Sequence, residues 1–264
     1  MQDPAPADTA GTLSEFEIRH GDARFRVPVP SDADHIVKRM RRKSRFYEAD
    51  LLSYLAGVVG GAGLVVDCGA NVGNHTLFFS GVMGRRVLSI EPVQRNRQML
   101  ERLLALNGLN DRVRIAPVAV SDTEAEAVMV SPKAGNPGMF RLNQTGSAGE
   151  AVQVTTVDAL LAGSSEPVAL IKFDLEGFEA PALRGAMQTV RRWLPVLSAE
   201  LTTSAEFAAF FEQLSGLGYA ATQVFCATPT VVFEPGHPDG QVADAVRKTL
   251  LGQDQRPPAA GARR

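Results

Sequence analysis

One stretch, residues 64 to 76, constrains what this chain can fold into more than any other: Leu-Val-Val-Asp-Cys-Gly-Ala-Asn-Val-Gly-Asn-His-Thr. An apolar run, Leu64 to Val66, stops at Asp67. Gly69 and Gly73 then bend the chain, and Val72, Leu77 and Phe78 resume an apolar pattern at helical spacing. The stretch reads as a strand, a tight glycine turn and a helix. Glycine lets the backbone take positive φ and lets a ligand approach the main chain, while free N–H groups gather where the helix begins. A pocket is expected at the turn.

The chemistry of this turn is not that of a dinucleotide loop. The G-x-G-x-x-G fingerprint is absent, because the spacing is Gly69-x-x-x-Gly73, and Asp67 closes the strand where a pyrophosphate would have to approach. A carboxylate there favours a cation. S-adenosylmethionine, which carries an ammonium and a sulfonium but no phosphate, fits; the plainer reading of the glycines alone is a strand-to-helix turn capped by Asn71. Glu91 tips the balance. Arg86 to Pro92 reads as the next strand, and it ends in a carboxylate about 20 residues past the turn, the distance at which an acid meets ribose hydroxyls in a nucleoside site. One carboxylate can accept from both hydroxyls of the diol.

With 264 residues, 45% hydrophobic and 21% charged, the chain can bury one substantial core. The expected organisation is a main domain over 64–251, an N-terminal cover over 14–63, and loose Pro/Ala-rich tails at 1–13 and 252–264. A net charge of −2 argues against a surface that tracks nucleic acid or anionic lipid throughout. Cys68 and Cys226 form neither a disulfide framework nor a metal cluster and suit a reducing cytoplasm. No run reaches the roughly 18 apolar residues of a membrane span, so neither anchoring nor export is expected.

Alternation from Phe16 to Val29 around His20-Gly21-Asp22 predicts a hairpin. Lys38 to Arg45 holds six positive charges in eight residues, as a solvated helix face or as an anion-attracting lip over the pocket. Tyr47 and Glu48 follow, and a short connection would bring them to the amino-acid end of the cofactor. Pro92 to Asn107 predicts an amphipathic helix and Val113 to Val120 a third strand, ending in Ser121-Asp122. Parallel strands joined by right-handed crossovers expose their carboxyl ends on one edge, so Asp67, Glu91 and the turn from Ala119 to Asp122 should line one crevice. Residues 124 to 157 read as an insertion with strand-like ends around a Gly/Asn/Pro/Ser loop, where Asn136, Phe140 and Arg141 are candidate substrate contacts. Asp158 is the expected cap of the helix that follows.

The second dense stretch is Val168-Ala-Leu-Ile-Lys-Phe-Asp-Leu-Glu-Gly-Phe-Glu179. A buried strand should end at Asp174, beside the first strand, with a helix close behind. Asp174, Glu176 and Glu179 should disfavour one another's ionisation, keeping one basic enough to accept a proton; for Glu179 a role at the helix dipole competes. Val196 to Glu200 predicts a fifth strand, Glu206 to Leu217 a helix, and Tyr219 to Phe233 a closing hairpin that carries His237 away from the crevice. His75, just inside the first helix, is the histidine left near the site, in catalysis or in a structural hydrogen bond.

Phe46-Tyr-Glu, Val66-Asp-Cys-Gly-Ala-Asn-Val-Gly-Asn-His-Thr, Ile90-Glu-Pro, Ala119-Val-Ser-Asp, and above all Ile171-Lys-Phe-Asp-Leu-Glu-Gly-Phe-Glu followed by Leu183-Arg-Gly-Ala resemble the FkbM family of S-adenosylmethionine-dependent methyltransferases over residues 46 to about 201. The resemblance implies an α/β, Rossmann-like class I methyltransferase fold: a seven-stranded, mostly parallel sheet with a C-terminal antiparallel hairpin and helices on both faces. It also implies O-methylation of a small-molecule hydroxyl on a sugar, glycan or secondary metabolite. The expected cofactor contacts are Tyr47, Glu48, Asp67, Gly69, Asn71, Gly73, Glu91, Ala119, Asp122 and Asp174; the expected catalytic set is Asp174, Glu176, Glu179 and His75. The same acids could instead hold Mg²⁺. Rival readings are an RNA methyltransferase using residues 38–45 and a non-catalytic cofactor-binding module.

Overall fold

The computed structural model describes residues 14–29, 35–130, 141–143, 149–237 and 240–254. Asn136 and Phe140 lie outside them, and of Arg141 only the backbone is described. The chain opens with β1 (Ser14–His20) and β2 (Ala23–Val29), an antiparallel hairpin turning at Gly21 with φ 55°. Two helices follow, α1 (His35–Lys43) and α2 (Ala49–Val58). The glycine stretch forms β3 (Leu64–Cys68) and α3 (Asn74–Leu77), which a π-helical turn extends over Phe78–Val82. β4 (Val87–Ile90), α4 (Gln94–Leu106) and β5 (Val113–Ala116) complete the first half of the main sheet.

The chain then leaves that sheet. The single strand expected from Val113 to Val120 is broken at Pro117, which has no N–H to give a ladder. β6 (Ala119–Val120) instead joins β7 (Ala125–Val130), β8 (Arg141–Asn143) and β9 (Glu150–Thr155) in a second sheet of order β6-β9-β7-β8. The expected insertion thus contributes strands of its own. After it comes α5 (Val157–Leu160), capped by Thr156 and not by Asp158: the Thr156 side chain accepts from the Ala159 N–H at 3.0 Å. A cap must precede the helix in extended conformation, as Thr156 does with φ −104° and ψ 152°, whereas Asp158 is already helical. Asp158 accepts instead from the N–H groups of Gln188 and Thr189, at 2.9 and 2.8 Å.

The second half consists of β10 (Val168–Phe173), α6 (Glu179–Arg184), α7 (Met187–Trp193), β11 (Val196–Glu200), α8 (Ser204–Phe211), β12 (Tyr219–Phe225), β13 (Thr230–Pro235) and α9 (Asp244–Asp254). The main sheet has seven strands in the order β12-β13-β11-β10-β3-β4-β5. β13 runs antiparallel to both neighbours and carries the chain toward His237, whose N–H bonds the Gly218 carbonyl beside the start of β12, at the edge opposite the crevice. Sequence reading assigned no helix to 244–254, and α9 extends into the segment expected to be a loose tail.

Side chains alternate between two cores, one on each face of the sheet. Val66, Cys68, Leu88 and Ile90 pack with Leu183, Val190, Phe210 and Leu250; Val65 and Val87 pack with Leu51, Leu55, Leu77 and Leu100, under the Ile18, Phe25 and Val27 of the hairpin. Burial on both faces explains why β3 reads as an unbroken apolar run up to Asp67.

Strand order reverses between β3 and β10, so a crevice opens beyond their carboxyl ends, where the Gly69 turn meets Asp174. Gly69 has φ 80°, and a Cβ there would lie 2.0 Å from the Asp174 carbonyl oxygen. Backbone strain and a steric clash coincide at this residue. Gly69→Ala is therefore expected to cost about 3 kcal/mol or more of folding stability in urea titrations; a loss under about 1 kcal/mol would mean that the turn relaxes freely.

Candidate active site

Glu91 follows β4 directly, and buried donors hold its carboxylate in place. Oε2 accepts from the Asn71 N–H at 2.8 Å, while Oε1 accepts from the Val93 N–H at 2.9 Å and from Asn96 Nδ2 at 3.3 Å. Burial outweighs these bonds and pushes its pKa up to about 7. Both acceptor sites of Oε1 are occupied, and Oε2 keeps one that can receive a ribose hydroxyl. Asn71, at φ 50°, stands beside it with Oδ1 buried and, among the described residues, without a hydrogen bond. Both residues line a crevice of about 660 Å³ with Gly69, Ala119, Asp174 and Glu176; Ile90, Val118, Met129 and Phe178 supply an apolar wall.

Asp67 does not line this crevice. It is fully buried, and Lys172, its register partner across the parallel β3–β10 pair, places Nζ 3.1 Å from Oδ1. Thr76 donates to Oδ2 at 2.7 Å. Burial opposes the ionised Asp67, but Lys172, His75 and Thr76 outweigh it and hold the carboxyl below its ordinary range. The cation expected at Asp67 is thus supplied by the chain itself. Burial likewise opposes the charge on Lys172, and Asp67 and Asp174 overcome it, raising its pKa. Lys172 Nζ also donates to the Gly69 carbonyl at 3.0 Å and lies 3.4 Å from Asp174 Oδ2. One ammonium ties the strand, the glycine turn and the exposed acid together.

The three acids after β10 serve different ends. Glu179 is 3% exposed and accepts from the N–H groups of Leu175 at 2.7 Å and Gly177 at 3.1 Å, latching the loop that Glu176 (φ 53°) and Gly177 (φ 101°) bend. Burial above all lifts its pKa to about 7, with the charge of Asp174 a lesser cause, so desolvation dominates the expected mutual repulsion. Asp174, with its side chain about one third exposed, faces two hollows. It lines the crevice and also, with Glu48, His75, Lys172, Ser198 and Glu200, a smaller chamber that has free space for about one water molecule.

In that chamber His75 Nε2 is 3.2 Å from Glu48 Oε2. Burial opposes ionisation of Glu48, but His75 outweighs it and lowers the pKa. Glu200, at the end of β11, is pushed up to about 9 by burial and then by Asp174, Glu176 and Glu48. Sequence reading puts Glu200 on the same carboxyl edge and Lys172 in the family motif, and gives neither a role. A lysine between Ile171 and Phe173 in an apolar run was the available signal, because a buried ammonium needs a partner.

Other expected residues lie elsewhere. The Tyr47 backbone pairs with the Asn74 side chain at 3.0 and 3.1 Å, while its ring sits beneath Arg39 and edge-on to His35, away from the crevice. Asp122 pairs with Arg184 at 2.9 Å. Gly73, at φ 94°, lets α3 start against Leu100 of α4. Among the described residues no group of three His, Cys, Asp or Glu is arranged for a metal ion, and no helix is long and apolar enough to cross a membrane.

Residues 67–221 match the model of the methyltransferase FkbM domain. The chain belongs to the FkbM methyltransferase family. Among solved structures, similar folds include methyltransferase FkbM from Methylobacillus flagellatus KT, at TM-score 0.49 and 21% identity over 65% of this chain and 43% of that one. An rRNA methylase from Streptococcus thermophilus follows at 0.46 and 16% over 70% and 94%, and a NADB-Rossmann superfamily protein from Streptococcus agalactiae at 0.48 and 12% over 77% and 76%. The chain spans less than half of the Methylobacillus protein. A search among curated proteins gives no match.

The matched FkbM segment begins at Asp67 and contains Lys172, so it includes both halves of the buried pair. Lys172→Met would leave the Asp67 carboxylate buried and unpaired, at a cost of about 3–5 kcal/mol in urea unfolding. The double variant Lys172→Met with Asp67→Leu should recover most of that loss. Equal destabilisation of the single and double variants would mean that the pairing is not what holds these residues.

Proposed function

We propose that this protein is an S-adenosylmethionine-dependent O-methyltransferase acting on a hydroxyl of a sugar, glycan or other small molecule. One observation carries the reading: Asp174 is the shared wall between the crevice that Glu91 and Asn71 line and a polar chamber. The crevice residues fit the cofactor. Glu91 Oε2 can accept from one ribose hydroxyl, the orphaned Asn71 Oδ1 offers an acceptor for the other, and the wall formed by Val118, Met129 and Phe178 suits a planar base.

S-adenosylmethionine, when bound, supplies an electrophilic methyl group on a sulfonium. The chain's own part is mainly positioning, which can supply much of a displacement's acceleration. Asp174 would hold the acceptor hydroxyl by accepting its hydrogen bond and take the proton as the oxygen bonds to carbon and the carbon–sulfur bond breaks, its electron pair going to sulfur and leaving S-adenosylhomocysteine; the proton then passes to solvent. A carboxylate is a weak base for an alcohol, so this transfer accompanies methylation and does not precede it. Lys172 keeps Asp174 oriented from beneath, and the Glu48–His75 pair flanks the acceptor. Glu200, protonated near neutrality, can donate to an acceptor oxygen.

Two measurements test this reading. Asp174→Asn should lower turnover by about 100-fold or more, while S-adenosylhomocysteine affinity stays within a few-fold, in assays of labelled methyl transfer to a panel of hydroxyl compounds. Unchanged turnover would remove Asp174 from the chemistry. The diol must find Glu91 ionised, and its pKa is raised to about 7, so S-adenosylhomocysteine should bind about tenfold more weakly at pH 6 than at pH 8. Calorimetry checks this. The dependence should vanish in Glu91→Gln, and a flat wild-type profile would separate Glu91 from the ligand.

A further inference from the structure

The basic run singled out in the sequence has no part in the site described so far. Arg39 and Lys43 lie one turn apart on α1, hence on one stripe, and Arg45 follows the end of that helix. All three are exposed, and all three line a groove of about 710 Å³. Arg39 is held over the groove by the Tyr47 ring, 5.7 Å from the guanidinium carbon to the ring centroid. Among the described residues no salt bridge joins any of the three to a carboxylate, although Glu48 and Asp50 line the same groove.

The groove shares a wall with the site. Glu48 and Leu51 line both it and the inner chamber, and Asp174 lines both the chamber and the cofactor crevice. Three hollows therefore share walls in series, cationic at the outer one and lined at the middle one by the carboxylates of Glu48 and Asp174. An anion would be attracted to the mouth and repelled from the interior. The matching ligand is bipartite: a multi-oxygen anion outside, a neutral hydroxyl-bearing part inside. Two guanidinium forks and an ammonium suit the several oxygens of phosphate better than a single carboxylate. A polyanion such as nucleic acid fits less well, since Glu48 and Asp50 line the same groove and repel added phosphates.

We propose that Arg39, Lys43 and Arg45 form a phosphate-binding subsite, and that the acceptor is a small phosphorylated or pyrophosphate-linked hydroxyl compound. The term acceptor rests on the methyltransferase reading; the anion subsite does not. Calorimetry with inorganic pyrophosphate tests the subsite on the wild type, on the groove variant Arg39→Gln/Lys43→Gln/Arg45→Gln, and on a control, Lys38→Gln/Arg41→Gln/Arg42→Gln. The control removes the same charge from exposed positions of the same helix that do not line the groove.

Pyrophosphate should bind the wild type, bind the groove variant at least about tenfold more weakly, and bind the control within about twofold of wild type. S-adenosylhomocysteine affinity should be unchanged in all three proteins, which also shows that the variants fold. No pyrophosphate binding to the wild type, or equal loss in groove and control variants, would overturn the subsite. A single-stranded RNA of about 20 nucleotides that binds the wild type far more tightly than pyrophosphate, and is lost in the groove variant, would overturn the small-molecule class. If S-adenosylhomocysteine fails to bind while pyrophosphate binds as expected, the methyltransferase reading falls and the anion subsite remains.

Discussion

A buried ammonium opposite a buried carboxylate, at the point where two parallel strands diverge, is the interaction on which this site rests. Lys172 and Asp67 are register partners in the centre of a sheet covered on both faces, so neither can reach water, and each is tolerable only because of the other. Such a pair is weak evidence for stability, since apolar residues could fill the same space. Its consequence is geometric. The same Nζ reaches the Gly69 carbonyl and Asp174, so a charge matched inside the sheet fixes the turn that shapes the crevice and the acid that faces the chamber.

Around that anchor the main chain is held in conformations that L-residues rarely adopt. Glu48, Asn71, Glu176 and Cys226 all have positive φ, and all four line one of the hollows at the carboxyl edge. Strain of this kind persists only where surrounding contacts over-determine it. Those contacts are visible: Glu91 holds the Asn71 N–H, Glu179 holds the loop at Glu176, and His75 pairs with Glu48. The carboxylates therefore divide into those that shape the walls, Asp67 and Glu179, and those that face the hollows, Glu91, Asp174, Glu48 and Glu200. Residue type alone does not separate the two groups, and neither does the number of internal donors, since Glu91 accepts from three.

Much of the architecture was legible because each signal was local. Strand β3, its glycine turn, the amphipathic α4 and the hairpin at Gly21 follow from apolar periodicity and from residues suited to positive φ. Errors arose where a partner distant in sequence decided the outcome. Val113 to Val120 had strand character throughout, but Pro117 gave no N–H to the main sheet and Val154 offered Ala119 another partner. Asp158 looked like a cap for the nearest helix and serves one 29 or more residues later.

The succession of strands and helices and the edge at which Asp174 and Glu91 emerge were determined by the sequence, because hydrophobic period and glycine placement act over a few residues. Only the tertiary structure decided that Asp67 is neutralised from within, that Glu200 meets Glu48 and Asp174, and that the basic helix lines a groove sharing Glu48 and Leu51 with the chamber. Burial and charge pairing depend on which side chains meet across the sheet, and residues 105 positions apart carry no local sign that they will.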